Sequence, residues 1–168
     1  EYCLSGRPRH CSQSQALMGT FAEQMSVWAP ALVKIPDEIG DEEAPLACGG
    51  LTAFGAVKKL VKHGIGPGRT VAVVGAAGGL GHYAVQMASR LGAARVFASV
   101  STPQKATLAR AAGADDVVMY KTEPLVERVL GLTAGRGVDR IIELDLAVNA
   151  AADLEMLRPG GECVVYGS

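Results

Sequence analysis

Short apolar runs alternate with longer amphipathic segments from Thr70 to the end of the chain. The short runs have the length of buried strands, and the longer segments space their apolar residues as helices do. The predicted strands are residues 70–74, 95–100, 116–119, 139–144 and 162–166. The predicted helices are residues 80–91, 103–112, 123–130 and 148–157. Alternating strands and helices indicate an α/β fold with a parallel sheet and right-handed crossovers.

The first part of the chain has a different pattern. Residues 1–18 are polar and irregular, residues 19–28 alternate loosely, and residues 31–35 form a short apolar run before Pro36. We predict two short strands there, followed by a short helix over residues 42–47. Residues 50–63 place apolar side chains at helical spacing with lysines on the other face, and Gly64 suits a C-terminal cap.

A glycine cluster separates the first predicted strand of the sheet from the helix that follows. Its spacing is Gly75-x-x-Gly78-x-x-Gly81, with a further glycine at position 79. Gly75 can turn the chain sharply, Gly78 and Gly79 leave backbone amides uncovered, and Gly81 lets the helix lie close to the sheet. A strand, a glycine turn and a helix N-terminus together are typical of a pyrophosphate site, although a glycine turn can also serve packing alone.

Composition narrows the classes of protein. The chain has 168 residues, 49% apolar residues and a formal net charge of -1. The charge and the lack of a basic block argue against nucleic-acid binding, and no apolar run reaches the roughly 20 residues that a bilayer span needs. We therefore expect neither nucleic-acid nor membrane partners, and a cytoplasmic location. Because the chain begins with Glu1 and ends close to a strand, we expect it to be part of a longer protein.

Three cysteines are candidate metal ligands. Cys3 and Cys11 lie near the start, and the spacing alone leaves three interpretations open: half of a metal lobe, a disulfide, or two unused thiols. Cys48 precedes a glycine pair, and a buried packing role competes with a ligand role. Cys163 alternates within the last predicted strand and is interpreted as core.

The chain resembles the zinc-type medium-chain alcohol dehydrogenase and quinone reductase superfamily over nearly its whole length. Residues 1–11 are similar to the second half of a structural-zinc lobe, residues 44–53 to a segment that supplies a catalytic-zinc cysteine, and residues 74–86 to the cofactor loop. The resemblance implies a partial catalytic (GroES-like) segment over residues 1–45. It also implies a Rossmann-type doubly wound domain over residues 46–168 that lacks its last strand, which predicts a bare sheet edge.

The same resemblance implies a ligand set. Cys48 would bind the catalytic zinc, and Cys3 and Cys11 would bind the structural zinc, with the other ligands upstream of this sequence. The resemblance also implies a homo-oligomer for the full-length protein. A fragment without the remaining ligands is expected to be inactive alone.

The predicted cofactor is NADP, with NAD as the alternative. An NAD enzyme usually carries an acid at the end of the second strand, and that position holds Val100. Ser101, Thr102 and Lys105 are instead available to a 2′-phosphate. Predicted contacts at the glycine turn are Gly75, Ala76, Gly78, Gly79, Leu80 and Gly81. Glu143 and Asp145, at the end of the fourth strand, either line the nicotinamide pocket or are solvated loop carboxylates.

These observations predict an oxidoreductase that transfers hydride between a nicotinamide cofactor and an alcohol, aldehyde or ketone, assisted by zinc in the full-length protein. Residues 100–105 and 138–143 resemble the zinc-free branch instead, so an NADPH quinone or enone reductase is the alternative. A non-catalytic dinucleotide-binding module is the alternative from another class, because a fold does not fix a function.

Overall fold

The computed structural model describes Ser5, Ser12, residues 19–62 and residues 65–166. The chain forms two compact units, Glu1–Gly40 and Asp41–Ser168. Cys3 and Cys11, and the cap predicted at Gly64, lie outside the described residues.

The described part of the first unit contains a short 3-10 helix, Ala29–Ala31, and no strand. The strands predicted at residues 19–28 and 31–35 are therefore wrong. An alternating or apolar pattern becomes a strand only when a neighbouring strand accepts its backbone hydrogen bonds. No strand of this unit is available for pairing within its described residues.

The second unit consists of alternating strands and helices. It opens with a 3-10 helix, Asp41–Ala47, where we predicted a short helix. The helices are α1 (Gly49–Lys62), α2 (Gly79–Arg90), α3 (Pro103–Ala111), α4 (Leu125–Leu132) and α5 (Leu146–Met156). The strands are β1 (Thr70–Val73), β2 (Arg95–Val100), β3 (Asp116–Met119), β4 (Val138–Glu143) and β5 (Leu157–Val165).

The five strands form one parallel sheet in the order β3-β2-β1-β4-β5. Val71 of β1 lies beside Val96 of β2 on one side and Arg140 of β4 on the other. Consecutive strands run outward from β1 to β3, and the order then reverses to β4 on the other side of β1. This topology confirms the predicted Rossmann-type sheet, and β5 lies at its edge.

Two apolar layers cover the sheet. Buried side chains from α1, α2 and α3 pack on one face, including Val57, Val85 and Ala109. Val129 of α4 and Met156 of α5 pack on the other face. The crossovers therefore bury both faces of the parallel strands, as the near-continuous apolar runs require. Among the described residues, no helix combines the length and the apolar character that crossing a membrane requires.

Strand β5 is longer than the sequence predicted. We expected a turn over residues 158–161 and a strand from Glu162, but β5 begins at Leu157. Val138 lies beside Leu157 and Arg140 lies beside Glu162, so the register shifts between these two pairs. The Pro159-Gly160-Gly161 segment, with Gly160 at a φ of +72°, forms an irregularity inside the strand rather than a turn before it.

Candidate functional site

A cleft of about 200 Å³ opens at the carboxyl edge of the sheet, where the strand order reverses. Every strand from β1 to β4 contributes its last residue or the residues that follow it. The cleft is lined by Gly75, Ala77, Gly78, Ser99, Val100, Ser101, Lys105, Tyr120 and Leu144. In open parallel α/β sheets, ligands bind at this kind of reversal point.

The turn after β1 is held by strands on both sides. Val74 N donates to Ile142 O at 3.0 Å, and Ala76 N donates to Ser99 O at 3.1 Å. Gly75 has a φ of +65°, a backbone angle that residues other than glycine rarely adopt. Its amide donates to Ser99 Oγ at 3.3 Å, and its carbonyl accepts from Gly78 N at 2.9 Å. The turn is therefore fixed by backbone bonds before any ligand arrives.

Gly81 sets how closely α2 approaches this turn. A Cβ at Gly81 would overlap the carbonyl oxygen of Gly75 and would lie 2.8 Å from Ala76 Cα. Both neighbours are backbone atoms, and Ala76 is fully buried. Only a glycine allows the start of α2 to lie this close to the turn, as the sequence predicted.

The N-terminus of α2 presents unpaired amides beside the cleft. Its N-cap, Gly78, has no side chain to satisfy them, and the first bond along the helix joins His82 N to Gly78 O at 2.8 Å. The amides of Gly79 and Leu80 precede that bond, so they have no partner within the helix. Gly78 and Gly79 are exposed, and a Cβ at Gly79 would meet no atom within 4 Å. This geometry can bind an anion, with the helix dipole adding to the attraction.

The opposite wall of the cleft carries a cation and a phenol. Lys105, in the first turn of α3, is exposed, and Tyr120 follows β3 with 49% of its surface exposed. Thr102 does not line the cleft; its hydroxyl oxygen accepts a hydrogen bond from Lys105 N at 3.3 Å and caps α3. The cap fixes the helix end that carries Lys105. The cleft thus has amide donors on one side and a positive charge on the other.

The predicted contact residues fall into two groups. Gly75, Gly78, Val100, Ser101 and Lys105 line the cleft, whereas Ala76, Gly79, Leu80, Gly81 and Thr102 lie around it and shape it. Sequence reasoning missed Ser99, Tyr120 and Leu144, which follow the same rule as the others. Each lies at or just after the carboxyl end of a strand, which is the signal that would have found them.

The prediction that Glu143 either lines the nicotinamide pocket or is solvated is wrong. Glu143 is neither a cleft residue nor a solvated one, because its side chain is completely buried at the end of β4. Asp145 is exposed and does not line the cleft; its carboxylate accepts from Val148 N at 3.4 Å and caps α5. Cys163 is half-buried and packs against the α5 side of the core, where burial raises the pKa of its thiol to about 11.

Cys48 is exposed between the 3-10 helix and α1. A Cβ at the following residue, Gly49, would lie 3.5 Å from the Tyr83 ring and 3.8 Å from the Leu80 side chain at the start of α2. The described residues do not assemble a zinc site around it, because they contain no cluster of three His, Cys, Asp or Glu side chains that could hold a metal. One thiolate is not enough, since protein zinc sites use three or four ligands.

A model of a known protein family matches residues 79–168, and its description is zinc-binding dehydrogenase. The match covers more than half of the chain and begins at the first residue of α2. The chain belongs to this family. It is part of the medium-chain dehydrogenase/reductase superfamily, which includes alcohol dehydrogenases and quinone or enone reductases.

Solved structures of this superfamily share the fold of this chain. An alcohol dehydrogenase from Aeropyrum pernix is 35% identical, with a TM-score of 0.84 over 99% of this chain and 51% of its own. A Pseudomonas syringae quinone oxidoreductase is 32% identical, with a TM-score of 0.74 over 81% and 41%. A mycobacterial protein solved with NADPH is 35% identical, with a TM-score of 0.70 over 80% and 41%.

The chain spans less than half of the length of the curated relatives that it matches. The shares of those relatives that it covers are 45%, 49% and 42%.

Proposed function

We propose that this chain binds NADP(H) in the cleft at the carboxyl edge of its sheet and serves an oxidoreductase that transfers hydride to or from an alcohol, aldehyde or ketone. One observation carries the proposal: the unpaired amides at the start of α2 and the Lys105 side chain border the same cleft. The family supports a nicotinamide cofactor in general, and the choice of NADP comes from the residues around the cleft.

The pyrophosphate is proposed to bind at the glycine turn. The amides of Gly79 and Leu80 donate to its oxygens, and the open space at Gly79 lets those oxygens approach the backbone. The close approach at Gly81 holds the helix end in place. These residues bind and orient the cofactor and leave the reacting ring free to face the substrate.

The 2′-phosphate of NADP is proposed to bind between Ser101, Lys105 and Tyr120. Lys105 supplies the charge, while the Ser101 hydroxyl and the Tyr120 phenol can donate hydrogen bonds. Val100 occupies the position where an NAD-binding protein would place a carboxylate, so no negative charge there opposes the phosphate. When bound, the nicotinamide ring accepts or donates the hydride; this chain's own residues position the nucleotide.

The Lys105→Ala variant should bind NADP about tenfold more weakly and NAD nearly as well as the native chain, because only the 2′-phosphate needs the charge. Isothermal titration calorimetry with both cofactors measures the two affinities. Lys59→Ala, on the exposed side of α1, is the matched control and should leave both unchanged. Tighter binding of NAD than NADP by the native chain would show that the NADP proposal is wrong.

Two other functions remain to be distinguished. The similarity to a quinone oxidoreductase favours a zinc-independent quinone or enone reductase as the second candidate. A dinucleotide-binding module without catalysis would bind the cofactor but oxidise no NADPH. Following NADPH absorbance with a panel of aldehydes, ketones and quinones, in a protein of the relatives' full length, separates the three.

We also propose that Cys48 supplies one zinc ligand in such a full-length protein, with Cys3 and Cys11 in a structural site. The described residues alone do not complete either site. Elemental analysis by mass spectrometry should find about two zinc ions per chain in the full-length protein, and one fewer in Cys48→Ser. A zinc content that is unchanged in Cys48→Ser rules out Cys48 as a ligand, and zinc-free full-length protein favours the reductase alternative.

The domain organisation is proposed on the same basis. Residues 1–45 would belong to the catalytic domain and residues 46–168 to the cofactor domain. The homo-oligomer and the cytoplasmic location expected from the sequence stay predictions.

A further inference from the structure

Two carboxyl groups are buried where α5 packs on the end of β4: Asn149 of α5 donates to Glu143, and Asp153 lies one turn further along the same helix. Glu143, at the end of β4, is completely buried, and Asp153 of α5 is 3% exposed. No donor group of the described residues reaches either Asp153 oxygen or Glu143 Oε2. Two ionised carboxylates in this position would be unpaired acceptors in a dry environment, which is costly.

The other oxygen of Glu143 connects this pair to the cleft. Glu143 Oε1 accepts from the backbone amide of Asp145 and, at 3.0 Å, from Asn149 Nδ2. These bonds fix the turn formed by Leu144 and Asp145 between β4 and α5. Leu144 lines the cleft, and its side chain lies 3.5 Å from a Cβ built on Gly75. The orientation of Glu143 therefore affects one wall of the cleft.

We propose that Glu143 and Asp153 share one proton, and that the protonated pair positions the turn of Leu144 and Asp145 that forms this wall. The proposal extends the proposed function, since it takes the cleft to bind the nucleotide. One proton supplies the hydrogen-bond donor that the unpartnered oxygens lack and removes one of two buried like charges. Without the shared proton, repulsion pushes the two carboxylates apart and disturbs the hydrogen bonds that Glu143 Oε1 accepts.

The groups around the pair do not offset its charge. Burial and then the charge of Glu143 raise the pKa of Asp153 to about 7. Burial and then the charge of Glu143 also raise the pKa of Tyr166, which follows β5, to about 12. On α4, which packs against α5, Glu127 and Arg128 are exposed, and Arg128 pairs with Glu123. On β5, Arg158 pairs with Asp139 and Glu162 pairs with Arg140. The Cys163 thiol of β5 faces both carboxyl groups and stays neutral, because burial and then the charges of Asp153 and Glu143 raise its pKa to about 11.

The direction of the pH effect follows from the raised pKa of Asp153. The folded chain keeps a proton that the unfolded chain loses near the ordinary value of 3.8. This contribution to the free energy of unfolding is fully present below that value, falls as the pH rises to about 7, and is constant above it. The turn of Leu144 and Asp145 should loosen around pH 7, where the folded chain itself loses the proton.

Three variants test the shared proton. Asp153→Asn and Glu143→Gln each remove one ionisable group with little change in volume, and Glu155→Gln neutralises an exposed carboxylate on the same helix as a control. Infrared spectroscopy near neutral pH should show a protonated carboxyl band in the native chain and in Glu155→Gln. The band should be absent from both other variants. If the native chain lacks the band, or if Asp153→Asn keeps it, the proposal is wrong.

A second measurement tests the positioning role without any nucleotide. Amide hydrogen exchange over residues 144–149, corrected for the intrinsic pH dependence, should speed up several-fold in the native chain between about pH 5 and about pH 8. It should stay constant in Asp153→Asn and in Glu143→Gln, either of which suffices if the other fails to fold. If the exchange rates of native and variant chains depend equally on pH, the carboxyl pair does not position the turn.

Calorimetry with NADP over the same pH range connects the turn to binding. The native affinity should weaken several-fold as the pH rises, and the affinity of Asp153→Asn should change less. If the native chain binds no nucleotide at any pH, the proposed function is wrong, while the infrared and exchange results still decide whether the proton is shared and holds the turn. A native affinity that varies with pH no more than that of Asp153→Asn would contradict the link to the cleft.

Discussion

The Gly81→Ala chain should lose about 3 kcal/mol of unfolding free energy and bind NADP at least about tenfold more weakly than the native chain. The added methyl group would overlap the Gly75 carbonyl oxygen and would lie 2.8 Å from Ala76 Cα. Backbone atoms of a buried turn cannot rotate away as a long side chain can. The start of α2 must therefore move outward, which carries the amides of Gly79 and Leu80 away from the cleft.

Thermal unfolding and calorimetry measure the two effects separately. For a chain of this size, about 3 kcal/mol corresponds to a fall of roughly 6–12 °C in Tm. Binding is measured well below the variant's Tm, where its circular dichroism matches that of the native chain. Gly55→Ala in α1 is the control, because a Cβ there meets no atom within 4 Å and alanine favours a helix. Native affinity and native Tm in Gly81→Ala would contradict the close approach of α2.

The Asp139→Asn chain should be destabilised by about 3 kcal/mol, the lower end of the range for breaking a buried ion pair. Asp139 is 2% exposed at the amino end of the sheet. Its carboxylate accepts from Thr70 N at 2.8 Å, from Thr70 Oγ1 at 2.9 Å and from Arg69 Nη1 at 3.0 Å. Arg158 donates through Nε to the same carboxylate. One side chain thus links the starts of β1, β4 and β5.

We expect a loss at the lower end of this range because the two arginines that pair with Asp139 keep some contact with water. The side chains of Arg69 and Arg158 are 43% and 26% exposed, so each can rehydrate when the carboxylate is neutralised. Chemical denaturation of native and variant chains measures the difference. Asp116→Asn is the matched control: it breaks the more exposed pair with Arg95 and should cost about 1 kcal/mol or less. Equal losses in the two variants would show that burial of Asp139 adds nothing.

The hydrogen bonds and ion pairs of Asp139 also predict how the stability of the chain falls at acid pH. Burial alone would raise the pKa of Asp139, but the bonds from Thr70, Arg69 and Arg158 outweigh it and hold this pKa well below its usual range. Its contribution to stability is fully present above the ordinary value of 3.8 and is lost as the pH falls further. Asp139→Asn should therefore lose less stability on acidification than the native chain does.

The sheet could be predicted from the sequence because its determinants are local. Strand β2 and strand β3 were predicted with their observed bounds, since each is a short apolar run between clear helix and turn residues. The start of β5 could not be predicted, because Pro159 and Gly160 read locally as a turn. Only the neighbouring β4 shows that the backbone continues through them as an irregular strand. The strands predicted before Pro36 were wrong for a related reason, because a strand forms only beside a neighbouring strand.

The candidate site could be predicted only in part. The glycine turn follows from its motif, and Lys105 follows from its place just after the second strand, so each could be predicted from neighbouring residues in the chain. Tyr120 and Leu144 reach the cleft only through the strand order, which places the end of β3 beside β2 and the end of β4 beside β1. The burial of Glu143 against Asp153 depends on how α5 packs on the sheet, which the alternation of residues does not reveal.

The position of β1 in the sheet determines where the chain can be altered. Its turn is held by Ser99 on one side and Ile142 on the other, so the segments before and after the α4–β4 connection must both be present to keep its shape. That connection lies at the opposite edge of the sheet from the cleft, and Ala134 and Gly135 in it have φ values of +53° and +77°. An affinity tag or fluorescent reporter inserted there would be remote from the cleft. Splitting the chain at the same point would leave the glycine turn after β1 with support on one side alone.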